Sequence, residues 1–329
     1  MPTDGFPQLQ EFYNRMGVKD KVALFPAIHF DHNYNHVARV SMYGWMNKHF
    51  KLGLKEPILE RDFVWKGKDD LHVWDAEHPQ PESGEAFERK LMKGFRDNID
   101  AQYETLRSQG KKSELRDLLT QGWQVCLGLT NGPIAKAVGS GDNPTQLKSD
   151  SDGQWSVHAA QPTPTPLSIQ VSMGNEKAIV YSLALLGQRV GEQGELIELP
   201  EQPLVGNPRL AAAYTYGYNQ PLLARRGRQV AATIQWLQEK HPGAKLVVTG
   251  KGPSAAIAAA GVFSARDARM VELRLAPDGF RFAKIESIRD PNFLPAAARY
   301  GDLPGLVGCI TARTDITEDA PADFAKFAP

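Results

Sequence analysis

The chain has 329 residues, 42 % of them hydrophobic, and its 38 Lys and Arg are balanced by 38 Asp and Glu. A formal net charge of zero excludes the basic footprint of a nucleic-acid binder or of a protein drawn to anionic lipid, and no apolar run is long enough to span a bilayer. The length and apolar content suffice for two domains, or one large one, with a sizeable core.

Gln8 to Met16 reads as a helix. Val22, Ala23, Leu24 and Phe25 make a short buried run that predicts a strand over Lys21 to Phe25, and Pro26 ends it. Val37, Val40, Tyr43, Met46 and Phe50 then recur at helical spacing, so His36 to Phe50 is a predicted helix. The loop between carries His29, Asp31, His32 and His36. Histidine titrates near neutral pH and carries protons in hydrolytic sites, which makes a loop at the end of a buried strand a natural place for one. The same side chains offer imidazole and carboxylate ligands to a metal. Their spacing is neither that of a helix face nor that of a finger, and a solvated polar loop is the plain alternative.

Lys51 to Ser83 carries Pro57, Pro79 and Pro81 among charged residues and reads as an extended linker. Phe87, Leu91, Phe95, Ile99, Tyr103 and Leu106 form a helical stripe behind a cap at Ser83 and Gly84. Gly139 to Pro166 is rich in Ser, Gly, Asp, Thr and Pro, ends in Pro162-Thr163-Pro164-Thr165-Pro166, and is expected to be loop. Beyond it the pattern alternates. Ile179 to Leu186 is a predicted strand, Leu222 to Lys240 an amphipathic helix, Lys245 to Thr249 a buried strand and Ser254 to Phe263 a helix of small residues. Met270 to Leu275 and Leu306 to Ile310 are further strands. Strand and helix in turn predict an α/β fold with a mostly parallel sheet and helices on both faces.

Within Leu246-Val247-Val248-Thr249-Gly250-Lys251-Gly252-Pro253-Ser254, a buried strand meets a Gly-rich turn and a helix, the setting of a nucleophile elbow. Laid on G-x-S-x-G, the nucleophile position is Gly252, which has no group to attack an ester. The following Pro253 lacks the N–H that normally supplies half of an oxyanion hole. Sliding the frame makes Ser254 the nucleophile and leaves a usable N–H at Ala255. No histidine follows this turn, although the triad in this architecture runs Ser, then acid, then His. A phosphate cradle fits less well, because Ala255 stands where the third glycine would be and no GK[ST] is present.

His32-Asn33-Tyr34-Asn35, Met42-Tyr43, Trp45-Met46-Asn47-Lys48-His49, Leu52-Gly53-Leu54, Val73-Trp74-Asp75 and His78-Pro79 together resemble the C-terminal end of an α/β-hydrolase domain. The resemblance is to the large acetyl xylan esterase-like proteins of bacteria. Tyr214 to Asn219, Gly279-Phe280-Arg281-Phe282, Arg289-Asp290-Pro291 and Tyr300 to Gly305 resemble a second hydrolase-like unit of those proteins. The resemblance implies a first hydrolase portion at 1–56, a linker and long helix at 57–110, and a degenerate hydrolase-like unit at 111–329. It assigns His32 as the general base of a Ser-Asp-His triad, and it implies hydrolysis of an acetyl or similar ester on a plant polysaccharide through an acyl-enzyme, with no cofactor. A missing nucleophile at the second elbow then makes the chain a weakly active or inactive member, completed by an upstream domain or a partner chain. A noncatalytic carbohydrate-binding or scaffolding module and a metal-binding protein are the other readings.

Tyr214, Tyr216 and Tyr218 alternate and suit either a sugar or a core. Arg225, Arg226 and Arg228 read as a solvated helix face, and Asp290 and Asp302 as turn residues. Asp315 follows the strands with no histidine to orient, and Asp4 does not sit where the acid is expected. Cys126 and Cys309 lie in apolar contexts and read as buried thiols. The start Met1-Pro2-Thr3-Asp4 has no signal segment, so the chain as written is expected in the cytoplasm, while relatives of this type are often exported.

Overall fold

The computed structural model describes residues 2–129, 134–159, 166–174, 177–190, 196–198, 206–207, 210, 212–265, 267–317 and 321–327. Internal contacts divide the chain into two units, Met1–Glu82 and Ser83–Pro329.

In the first unit, α1 (Gly5–Arg15) and α2 (His36–Phe50) are the regular elements beside short 3-10 turns. The Asn35 side chain caps α2 by accepting from the Ala38 N–H at 3.1 Å, and Lys51, in the left-handed region at φ 55°, ends it. Glu60 accepts hydrogen bonds from Arg39, from the Tyr43 hydroxyl at 2.8 Å and from His36 Nδ1 at 3.0 Å. These donors share one face of α2. Their bonds hold the Glu60 carboxyl well below the usual carboxylate range, Arg39 foremost. Asn47 fastens Leu54 through both its backbone groups.

The strand expected at Lys21–Phe25 is absent. Lys19–Lys21 forms a 3-10 turn, and Phe25 is exposed, because no second strand lies in this unit to complete a ladder among its described residues. No described residue of the unit is buried.

The second unit opens with α3 (Glu85–Ser108) and α4 (Lys112–Cys126), joined at Gly110 with φ +69°. Buried Tyr103 donates to the Arg299 carbonyl at 2.8 Å, and fully buried Trp123 donates to the Tyr300 carbonyl at 3.1 Å. Strands β1 (Val138–Ser140), β2 (Thr145–Ser149), β3 (Gly153–Ala159), β4 (Leu167–Ser172) and β5 (Ile179–Ala184) follow, then the separate hairpin β6 (Gln188–Val190) and β7 (Leu196–Glu198). Helix α5 (Leu222–Lys240), β8 (Lys245–Lys251), α6 (Ser254–Ser264), β9 (Val271–Ala276), α7 (Asp302–Gly308), β10 (Arg313–Ile316) and α8 (Pro321–Ala325) complete it.

The main sheet has eight strands in the order β1-β2-β3-β5-β4-β8-β9-β10. The fold is thus α/β, with a mixed sheet. Only β8–β9 and β9–β10 are parallel pairings; the other five are antiparallel. The stretch expected to be loop, Gly139 to Pro166, contains β2, β3 and most of β1. Leu147, Trp155 and Val157 point from it to one buried side, while Gln146, Gln154 and Ser156 point to the other. Of its Pro-Thr run, residues 160–165 lie outside the described residues.

Leu306 to Ile310, expected as a strand, is the end of α7 and the turn after it. Trp155 donates to Thr233 of α5 at 2.9 Å, and Gly250 lies against Ala255 of α6, both on the apolar face. On the opposite face the paired residues His158, Ser182, Ser168, Thr249, Arg274 and Asp315 run in one register row across the strands. Three of the six, Thr249, Arg274 and Asp315, stand on the parallel-paired strands β8, β9 and β10, while Ser182 and Ser168 of the antiparallel part are buried. Helices α5 and α6 meet along small residues. A Cβ on Gly227 would lie 2.8 Å from that of Ala260, and one on Gly261 would lie 2.3 Å from Val230.

Candidate functional site

The turn between β8 and α6 lies at the C-terminal end of a parallel strand, where open α/β sheets bind ligands. The Gly252 N–H donates to the Ala276 carbonyl at 2.8 Å and the Lys251 N–H to Pro166 at 2.8 Å, which pins the strand end to both neighbours. The chain then reverses at Gly252, φ +54°, and the Ala255 N–H returns to the Gly252 carbonyl at 3.0 Å. Gly250 permits the sharpness of this turn, since a Cβ there would lie 2.7 Å from the Ser254 carbonyl oxygen and 2.8 Å from Ala255 Cα. At Gly252 an added Cβ would meet nothing within 4 Å. The apex therefore faces open space.

Pro253 follows the apex and contributes no N–H. Ser254 is buried as the first residue of α6. No hydrogen bond joins it to a histidine or a carboxylate among the described residues. The described histidines of this unit are engaged elsewhere. His158 Nε2 bonds Ser156 Oγ at 2.9 Å and His241 Nε2 bonds the Tyr181 hydroxyl at 3.1 Å, and burial lowers the pKa of both. His32 belongs to the Met1–Glu82 unit, where it is exposed and has no polar partner among the described residues.

The alternative metal set is not gathered. His36 is bonded to Glu60 and the His29 ring leans on Phe30 at 4.6 Å. Among the described residues no group of three or more His, Cys, Asp or Glu is placed to hold a metal.

Neither a protein-family model, nor a curated protein, nor a solved structure matches this chain. No helix among the described residues is long and apolar enough to cross a membrane.

The remaining candidates separate by burial. Tyr216 donates to the Ile288 carbonyl at 2.6 Å and packs on Phe293, whereas Tyr214 and Tyr218 are 59 % and 81 % exposed. Asp302 is a clamp: its carboxylate accepts from the N–H groups of Phe282, Ala283 and Leu303 at 2.6–2.9 Å. Asp290 makes a turn by accepting from the Asn292 N–H at 2.7 Å.

The arginines of α5 correct the expectation of a solvated face. Arg226 is fully buried against Glu198 and the Leu186 carbonyl, and Arg228 is buried against Asp152 and the Leu127 carbonyl. Their acidic partners lie 28 and 76 residues away in the chain, so local charge patterning carries no sign of the pairing. Burial raises the pKa of both cysteines, and Cys126 is pushed up to about 12.

Proposed function

We propose that the chain is a noncatalytic, α/β-hydrolase-like protein of the acetyl xylan esterase-like kind, with little or no ester hydrolysis of its own. The observation that carries this reading is a strand–turn–helix elbow whose positive-φ apex is Gly252. In a working serine esterase the apex hydroxyl attacks the ester carbonyl, a histidine takes its proton and returns it to the leaving alcohol, and the N–H after the apex steadies the oxyanion. Here glycine removes the nucleophile and Pro253 removes one donor, a loss that by itself costs about 3 kcal/mol of transition-state stabilisation. Ser254, one residue beyond Pro253, has no hydrogen-bonded histidine or carboxylate among the described residues to activate it.

Treatment of the full chain with a fluorophosphonate probe, followed by intact mass and by hydrolysis of an activated acetate ester, tests this. The expected outcome is no adduct and no hydrolysis above buffer. A single adduct on Ser254, with activity lost in Ser254→Ala, would overturn it.

The exposed rings of Tyr214 and Tyr218 favour a second reading, a noncatalytic carbohydrate-binding module, since an aromatic face with a polar tip suits a sugar at a wet surface. Calorimetric titration with xylan oligosaccharides decides it, and the absence of binding heat removes it.

A further inference from the structure

A cleft of about 390 Å³ opens between the C-terminal end of α3, the first turns of α4, the end of α7 and the segment after α8. Arg107, Lys112, Arg116 and Lys326 line it, and no Asp or Glu does. Two of these cations have carboxylate neighbours outside the cleft, Arg107 at Glu104 (3.3 Å) and Lys326 at Asp323 (3.0 Å). Lys112 and Arg116 make no ion pair among the described residues; Arg116 reaches only the Cys309 carbonyl, at a long 3.5 Å.

The Arg107 guanidinium lies over the Phe327 ring at 4.7 Å, yet its Nε is buried without any hydrogen-bond partner. A buried charged donor left unmatched is costly unless something supplies an acceptor. The walls are apolar: Leu115 and Leu119 are buried, and Phe327 closes one side. No side chain caps α4 at Lys111, and Lys112 and Ser113 of its first turn line the cleft. An apolar recess with a few converging polar groups of one sign is the usual form of a small-molecule site.

We infer that this cleft binds an organic carboxylate with an apolar tail, the head held by the Arg116 and Arg107 forks with Lys112, and the tail lying on Leu115, Leu119 and Phe327. A planar guanidinium pairs a carboxylate through two parallel hydrogen bonds, which an ammonium does not.

Octanoate is the probe, titrated into the full chain by calorimetry beside 1-octanol and acetate. Saturable one-site octanoate binding is expected, with octanol at least tenfold weaker and acetate without measurable heat. Arg116→Met and Lys112→Met should each weaken octanoate at least fivefold while leaving far-UV circular dichroism and the unfolding midpoint in place. Lys112 is exposed and the Arg116 side chain makes only the long contact to the Cys309 carbonyl, so the test does not depend on an Arg107 variant. Equal binding of octanol, binding unchanged in both variants, or no octanoate heat would each overturn the assignment. Binding of inorganic phosphate as tight as octanoate would replace it with a simple anion site.

Discussion

Replacing Arg228 by Met should be among the most damaging single changes in the molecule. The guanidinium donates to Asp152 from Nε at 2.7 Å and Nη2 at 2.6 Å and to the Leu127 carbonyl at 2.9 Å, with Arg228 8 % and Asp152 1 % exposed. Methionine keeps the length and the apolar stem, so little packing is lost. What remains is a buried carboxylate whose other side-chain donor is the Ser151 hydroxyl at 2.7 Å, and a Leu127 carbonyl without its donor. Breaking a buried pair in this way costs about 3–5 kcal/mol.

Urea unfolding, followed by the fluorescence of buried Trp123 and Trp155, reads the loss directly. With a slope of about 2 kcal/mol/M, the midpoint should fall by roughly 2 M at unchanged slope. Adding Asp152→Asn to the same chain removes the stranded charge and should recover much of the loss. A decrease under about 1 kcal/mol, or a double variant as weak as the summed singles, would refute the view that the loss comes mainly from an uncompensated buried charge.

The Glu272 carboxyl is held at about 2, below the ordinary 4.5, by hydrogen bonds from Lys245 and then Arg274. A depressed folded-state pKa means that its contribution is complete above about 4.5 and is lost as pH falls towards 2. Acid unfolding curves of the wild type and Glu272→Gln should therefore diverge above that window and converge below it; parallel curves would contradict the pairing. Burial raises the pKa of both thiols, so iodoacetamide at pH 8 should modify neither Cys126 nor Cys309 in the folded chain and both in urea, as counted by mass.

The parts of the fold legible in the sequence were those with a strong local signal. Helices α2 and α5 begin and end where their apolar periodicity does, and the β8–turn–α6 junction was readable because Gly250 and Gly252 each answer a local backbone demand. Strands β2 and β3 were hidden by their composition. Their inward residues alternate with Gln, Lys and Ser, and turn-forming residues on either side outweighed that short pattern. The run at Leu306 to Ile310 is too short for periodicity to tell strand from helix, and the Asp302 clamp that starts α7 acts on Phe282 and Ala283, 20 and 19 residues away. That the turn carries Gly252 at its positive-φ position and Pro253 after it needed only residue identity. The cationic cleft had no signal at all, because Arg107, Arg116 and Phe327 are brought together by tertiary packing alone.

The unburied character of residues 2–82 fixes where the heat of unfolding resides. Enthalpy and heat capacity of unfolding scale with surface withdrawn from water, and Phe63, Val64 and Trp65 at 79 %, 90 % and 76 % exposure withdraw little. A scanning calorimeter would thus record one cooperative peak belonging to Ser83–Pro329. The first unit would melt as a shallow, broad baseline, and its share of the endotherm would grow only when another surface covers those rings.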